Sequence, residues 1–265
     1  MFSSPERGGR APVRERDDRP SLRVMDSEHE SLTVPKATGS AATVVLLRDG
    51  ERGLEVLLAE RPRDRGSFAG AWVFPGGAVD AADAAGAALD SVDAARRAAV
   101  RETREEIGLE LDGAELVPFS QWTPPSNSPK QLTTTFFAVR VPEGEIRPAP
   151  DEVVAVEWVR PVDALERHAS GTVILWPPTW VTLHGLRNAA SVDEALVELR
   201  GGEIRPYVAR VGNGGRMILW QEDAEYEAAH ERREGEPAVA DDALAAGNRH
   251  RLVMDGLPWV YLNSF

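Results

Sequence analysis

Between Arg101 and Leu109 the chain reads Arg-Glu-Thr-Arg-Glu-Glu-Ile-Gly-Leu. On a helix, at about 100° per residue, Glu102, Glu105 and Glu106 fall within one arc of roughly 100°, while Val92, Ala99, Val100, Thr103 and Ile107 gather on another. One face packs and the other presents carboxylates. Three crowded carboxylates repel one another unless a divalent cation lies between them, and hard oxygen ligands suit Mg²⁺, with Mn²⁺ as the alternative. Arg101 lies one turn before Glu105 and can pair with it, fixing its rotamer. Ala95 and Ala98 sit on the glutamate side, where short side chains would leave room for a metal-bound phosphate.

The helix that must carry these groups is predicted over residues 91–107. Ser91 or Asp90 can cap its start, Asp93 adds negative charge to the first turn, and Gly108 can take the left-handed conformation that ends it. A Glu/Arg-rich face is commonly a solvated surface. What argues otherwise is the run ahead of it, Phe74-Pro75-Gly76-Gly77.

Together the two stretches resemble the Nudix box, Gly-x5-Glu-x7-Arg-Glu-U-x-Glu-Glu-x-Gly-U, with U aliphatic. The half from Arg101 to Gly108 is complete but for Thr103 at an aliphatic position. Counting back from Arg101 puts Asp93 where the family has its first glutamate, and Gly77 lies 24 positions before Arg101 rather than 14, an Ala-rich insertion around residues 80–86. The resemblance implies a Nudix α/β/α sandwich with a mixed sheet over residues 36–170. It also implies metal-assisted attack of water on the pyrophosphate of a nucleoside diphosphate linked to another moiety. Glu102, Glu105 and Glu106 would be the metal ligands, with Arg101, Glu105 and Glu106 catalytic. In the wider superfamily a loop acid sometimes serves as base, for which Asp151 and Glu152 are the candidates.

The moiety is indicated less directly. From Leu57 to Gly77 the chain resembles a signature of coenzyme A diphosphatases, keeping its length, both leucines, Arg61, Gly70 and the closing turn, but having Ala59, Pro62 and Gly66 where the signature has threonine, serine and arginine. Coenzyme A or acyl-coenzyme A is therefore the favoured substrate, with Arg61, Arg63, Arg65, Phe74, Gly76, Gly77, Trp122 and Pro124 as its expected binding residues. Pro124 also resembles a proline of ADP-ribose hydrolases, and Ser120-Gln121-Trp122 part of an NADH-hydrolase signature. A catalytically silent ligand-sensing relative would usually have lost glutamates from the box; this chain keeps all three.

Composition sets the outer bounds. The 265 residues carry a formal charge of −13 and no cysteine. The missing thiols exclude disulfides, thiolate zinc sites, iron–sulfur clusters and a cysteine nucleophile, and the charge argues against a nucleic-acid partner. An anionic small-molecule nucleotide would need a metal and local arginines. All of the 30 basic residues except Lys36 and Lys130 are arginine, as expected of a GC-rich bacterial genome. The N-terminus is polar and no apolar run approaches 18 residues, which predicts a cytoplasmic protein with neither signal peptide nor membrane span.

Residues 1–35 lack apolar periodicity and are expected to be disordered. Strands are predicted at 41–47, 54–58, 116–119, 133–139 and 153–159, the first two joined by an Asp49-Gly50 turn, and a helix at 161–168 begins with proline. Residues 171–265 form a C-terminal α+β extension, with helices near 178–187 and 192–199 and hairpins turning at 212–215 and 255–256. Between the hairpins lies an acidic stretch from Gln221 to Asn248. This extension is expected to pack on the core, line the pocket or form a homodimer.

Overall fold

The computed structural model describes residues 38–64, 68–231 and 247–265. The expected tail at 1–35, Arg65, and much of the acidic stretch before Asn248 lie outside the described residues.

The hairpin of β1 (Gly39–Gly50) and β2 (Gly53–Glu60) comes first, with Gly50 opposite Gly53. Then come β3 (Trp72–Val73), β4 (Gly76–Ala78), α1 (Ala81–Ala84) and α2 (Val92–Ile107). Strands β5 (Val117–Thr123), β6 (Leu132–Arg140) and β7 (Ala155–Val159) precede helices α3 (Pro161–Ala169), α4 (Pro177–Leu186) and α5 (Val192–Arg200). The chain closes with β8 (Arg205–Val208), β9 (Arg210–Gly212), β10 (Met217–Leu219), α6 (Tyr226–Glu231), β11 (His250–Val253) and β12 (Val260–Asn263).

The main sheet runs β3-β2-β1-β6-β5-β8, with β4 also paired to β1 and β7 to β2. It is mixed, because β1 lies parallel to β6 from Gly39 opposite Leu132 to Leu47 opposite Arg140, while β1 and β2 are antiparallel. Alternation along β1 divides the core. Val44 and Leu46 join Ala95, Ala98, Ile107 and Phe137 on the α2 side; Val45 and Leu47 join Leu183, Leu196 and Trp220 on the other. Two helical layers on one sheet make the α/β/α sandwich. Ala95 and Ala98 are buried in the first of these clusters. Their small side chains let α2 lie close against the sheet, so they do not form an open approach to the glutamates.

The extension adds a strand to the sheet. β8 pairs in parallel with β5, Ser120 opposite Arg205 through Thr123 opposite Val208. Proline at 206 disguises this strand in the sequence, but an edge strand tolerates it. Trp122 stacks on Tyr207 at 3.8 Å between ring centroids, and the edge of Trp220 closes on both. A second sheet, β12-β11-β10-β9, carries both hairpins. Among the described residues, no helix is long and apolar enough to cross a membrane.

One buried ion pair fastens this second sheet to the segment before α6. Asp223 has no side-chain exposure and accepts from Arg251 Nε at 2.7 Å and from the backbone N–H groups of Glu225 and His250 at 2.9 Å. Burial alone would raise its pKa, but the guanidinium and the N–H donors outweigh it and hold the carboxyl below its usual value. Such a group stabilises the fold above its unfolded pKa of about 3.9, and the contribution is lost as pH falls through the depressed folded value. Arg251→Met, which strands the carboxylate, should cost about 3–5 kcal/mol at neutral pH. As pH falls below about 4, toward the depressed folded value, the gap to the wild type should narrow. Urea unfolding of both proteins from about pH 3 to pH 7 measures this, and equal stability at neutral pH would count against the clamp.

Candidate active site

Helix α2 begins and ends for local reasons. Ser91 Oγ accepts from the Ala94 N–H at 3.1 Å, and Gly108, at φ 75°, donates its N–H to the Arg104 carbonyl. The last turn is then tied to a loop. Arg147 N donates to Ile107 O and Ala149 N to Glu106 O, both at 2.8 Å, filling carbonyls that a helix end leaves open. That docking brings Glu152 within electrostatic reach of Glu102 and Glu106.

The Phe-Pro-Gly-Gly turn supplies the floor. Gly76 has φ 151°, and a Cβ there would lie 2.1 Å from the Ala42 carbonyl oxygen, so only glycine fits. Its N–H donates to Glu106 Oε2 at 2.9 Å. At Gly77 a Cβ would fall 2.3 Å from the Glu102 carboxyl carbon, so Glu102 rests directly on bare backbone.

Arg101 joins the remaining pieces. Its Nη1 donates to Glu102 Oε1 at 2.8 Å and to Glu105 Oε2 at 3.0 Å; its Nη2 donates to Asp83 Oδ2 at 2.8 Å and to the Ala78 carbonyl at 2.9 Å. Asp83 is 6% exposed and takes a further N–H from Asp80 at 2.9 Å. The Arg101 guanidinium holds its carboxyl below the usual range. Asp83, not Asp93, is thus the acid that answers to the box's first glutamate. Counted forward from Gly77 it stands at the family's spacing, whereas Asp93 is an exposed residue of α2's first turn. The insertion therefore lies between Asp83 and α2. Arg97 fastens its start by donating to the carbonyls of Asp83 and Ala84.

Electrostatics explain what such a site lacks by itself. Burial is the main reason that the Glu106 carboxyl rises to about 7; the Gly76 N–H and Arg61 pull it down, and Glu102 and Glu152 push it up. Glu102 is likewise raised, first by burial and then by Glu105 and Glu152, against the pull of Arg101. Glu102 and Glu106 thus feel the charge of neighbouring glutamates in a partly dry place, and all of these carboxylates offer hard oxygen. That donor set suits a divalent cation of the Mg²⁺ type. Among the described residues, no three acidic or histidine side chains are already gathered around one ion position. The reason is visible in the contacts, since Arg101 stands between Glu102 and Glu105 while Glu106 faces Gly76 and Arg61.

The other expected binding residues separate into two groups. Arg61 reaches the site, its Nη1 2.8 Å from Glu106 Oε1, but it serves a glutamate and not an open phosphate pocket. Arg63 points outward, 83% exposed, with Glu60 at 3.2 Å. Pro124 is half-buried just past β5. Phe74 and Trp122 are core residues, 3% and 6% exposed, packed on Phe136 and Tyr207. Their aromatic rings suit a ligand equally well on paper, but alternation along β5 turns Trp122 inward and the turn after β3 buries Phe74. The residue that sequence reasoning missed is Asp83, and the Gly77 spacing was the signal for it.

No curated protein matches the chain. Among solved structures it is similar to a NUDIX hydrolase from Alicyclobacillus acidocaldarius, 26% identical with a TM-score of 0.55, over 62% of this chain and 98% of that one. A MutT NUDIX hydrolase from Burkholderia pseudomallei is also 26% identical, with a TM-score of 0.39, over 55% of this chain and 95% of its own. The NUDIX domain family matches residues 37–176, more than half of the 265 residues. That span holds the whole constellation from Arg61 to Glu152, and the chain accordingly belongs to the NUDIX domain family as a pyrophosphohydrolase.

Proposed function

We propose that this enzyme hydrolyses the pyrophosphate bond of a nucleoside diphosphate linked to another moiety, with coenzyme A or an acyl-coenzyme A as substrate. The observation that carries the reading is the single guanidinium of Arg101, which spans Glu102 and Glu105 while anchored on Asp83. Nudix hydrolases generally use divalent metal ions and act on small nucleotide substrates. Glu102, Glu105 and Glu106 would hold the metal, which when bound supplies charge neutralisation at the pyrophosphate and an activated water. Around it each residue has its own task. Gly76 N–H and Arg61 orient Glu106; Arg101 orients Glu105, whose carboxylate is the most open of the three at 46% exposure. Glu152, exposed on the loop docked to α2 and close enough to raise the Glu102 and Glu106 carboxyls, takes the proton of the attacking water in this reading.

Removing one carboxylate oxygen tests the metal. Glu105→Gln and Glu106→Gln should keep the fold and each lower kcat by on the order of 10³, about 4 kcal/mol. Wild-type turnover in both variants, or full activity in EDTA, would sink the assignment.

Asp83 acts through Arg101 and is a positioning residue. Asp83→Asn should lower kcat by about 10- to 100-fold and raise the Mg²⁺ concentration needed for half-maximal rate, while KM for substrate changes little. Asp83→Glu should recover part of the loss. An unchanged Mg²⁺ requirement would leave Asp83 a purely structural residue.

Coenzyme A carries a 3′-phosphate that ADP-ribose and NADH lack. The spacing from Leu57 to Gly77 supports it, as does Arg63, which extends into solvent beside Glu60. One arginine–phosphate contact is worth roughly 1.5–3 kcal/mol, or about 10- to 150-fold. Coenzyme A should therefore have a higher kcat/KM than its 3′-dephospho form, and Arg63→Ala should narrow the gap. Equal rates on the two forms would remove coenzyme A, and faster turnover of ADP-ribose or NADH would pass the assignment to that compound.

A further inference from the structure

Beside the glutamates four chain segments lie next to one another. Val154 N donates to Glu60 O, Arg61 N to Ala71 O and Trp72 N to Ile174 O, each at 2.9 Å, and Ala71 also bridges to Ile174. Adjacent extended segments are about 4.8 Å apart, so Ile174 lies about 10 Å from the Arg61 backbone. From the middle of this row Arg61 reaches Glu106. At its end, two residues past Ile174, stands Trp176, 44% exposed, against Phe68, 49% exposed, with ring centroids 4.7 Å apart and planes at 68°.

This pair is unusual on three counts. Two large aromatic side chains leave nearly half their surface in water side by side, instead of joining the core beneath. Phe68 sits at φ 63°, in the left-handed region that bulky residues avoid, so the backbone is held in a costly conformation to project its ring. Apolar Ile174, 55% exposed, continues the same surface toward Arg61. An edge-to-face pair leaves an open ring face, which favours a flat π-system over a flexible chain.

We infer that Phe68 and Trp176 form the stacking platform for the nucleobase of the substrate, at the end of the row that holds the arginine orienting Glu106. The inference rests on the pyrophosphatase reading and specifies which end of the substrate lies there. A pyrophosphate at the glutamates leaves the ribose and base to run along this row, from Arg61 past Ile174 toward the pair. The acyl or pantetheine end would leave the site elsewhere.

AMP and ribose 5-phosphate differ only by the base, and neither contains a pyrophosphate to cleave. Calorimetric titration of both into the full-length protein with Mg²⁺ should show tighter AMP binding. Trp176→Ala and Phe68→Ala should each weaken AMP by about 5- to 150-fold while leaving ribose 5-phosphate unchanged. Trp176→Phe should keep most of the AMP affinity, which separates stacking from loss of fold. In steady-state hydrolysis the alanine variants should raise KM and leave kcat near wild type. Equal binding of the two probes by the wild-type protein, or AMP affinity unchanged in both alanine variants, overturns the platform. Failure of the wild type to hydrolyse any nucleoside diphosphate compound would instead overturn the pyrophosphatase reading, and the titrations stay informative in that case.

Discussion

The constraint on which the site depends is that carboxylates cannot be crowded in a partly buried place without compensating cations. Arg101 meets it with five donors in a planar fork, one nitrogen shared by Glu102 and Glu105 and the other by Asp83 and a backbone carbonyl. Lysine could not do this, since a point charge on a flexible stem lacks the two-sided geometry. Arg61 does the same for Glu106 from the opposite side, with Gly76 contributing a backbone dipole. Each acid therefore has a defined direction in the protein, and a divalent ion would meet carboxylates already held near their working places.

Much of this was legible in the sequence because it is local. The caps of α2 follow from Ser91 and Gly108, and the glutamate face from helical periodicity. The strands were legible too, since alternation along β1 and β6 sorts Val44 from Val45 and Phe136 from Phe137. What failed was non-local or two-faced. Counting back from Arg101 selected Asp93, because an insertion shifts the register of any motif read from one end only. Trp122 sits on a strand next to the expected pocket, and no sequence rule says which face a single tryptophan takes until its partner, Tyr207 from the extension, is known.

The insertion shows how a family core accepts extra chain without losing chemistry. It enters after Asp83, where α1 has already been fixed by Arg97 and Arg101, and it rejoins before the Ser91 cap. Both contact ends stay in register, so the loop between them can vary while the guanidinium keeps its partners. Glycine plays the complementary part on the other side, where Gly76 and Gly77 leave no room for side chains that would push Glu102 and Glu106 off the backbone.

The parallel strand β8 has a consequence for how the chain is made. β1 finds its parallel partner β6 only after the intervening ninety or so residues have emerged, and β5 finds β8 later still. Until then the outer edge of β5 presents unpaired N–H and C=O groups, and Trp122 lacks the ring that covers it. A chain halted after α3 would carry every glutamate of the site yet retain that open edge, a template for pairing with its neighbours on a crowded ribosome. The extension therefore closes that edge and covers Trp122 as soon as β8 has emerged.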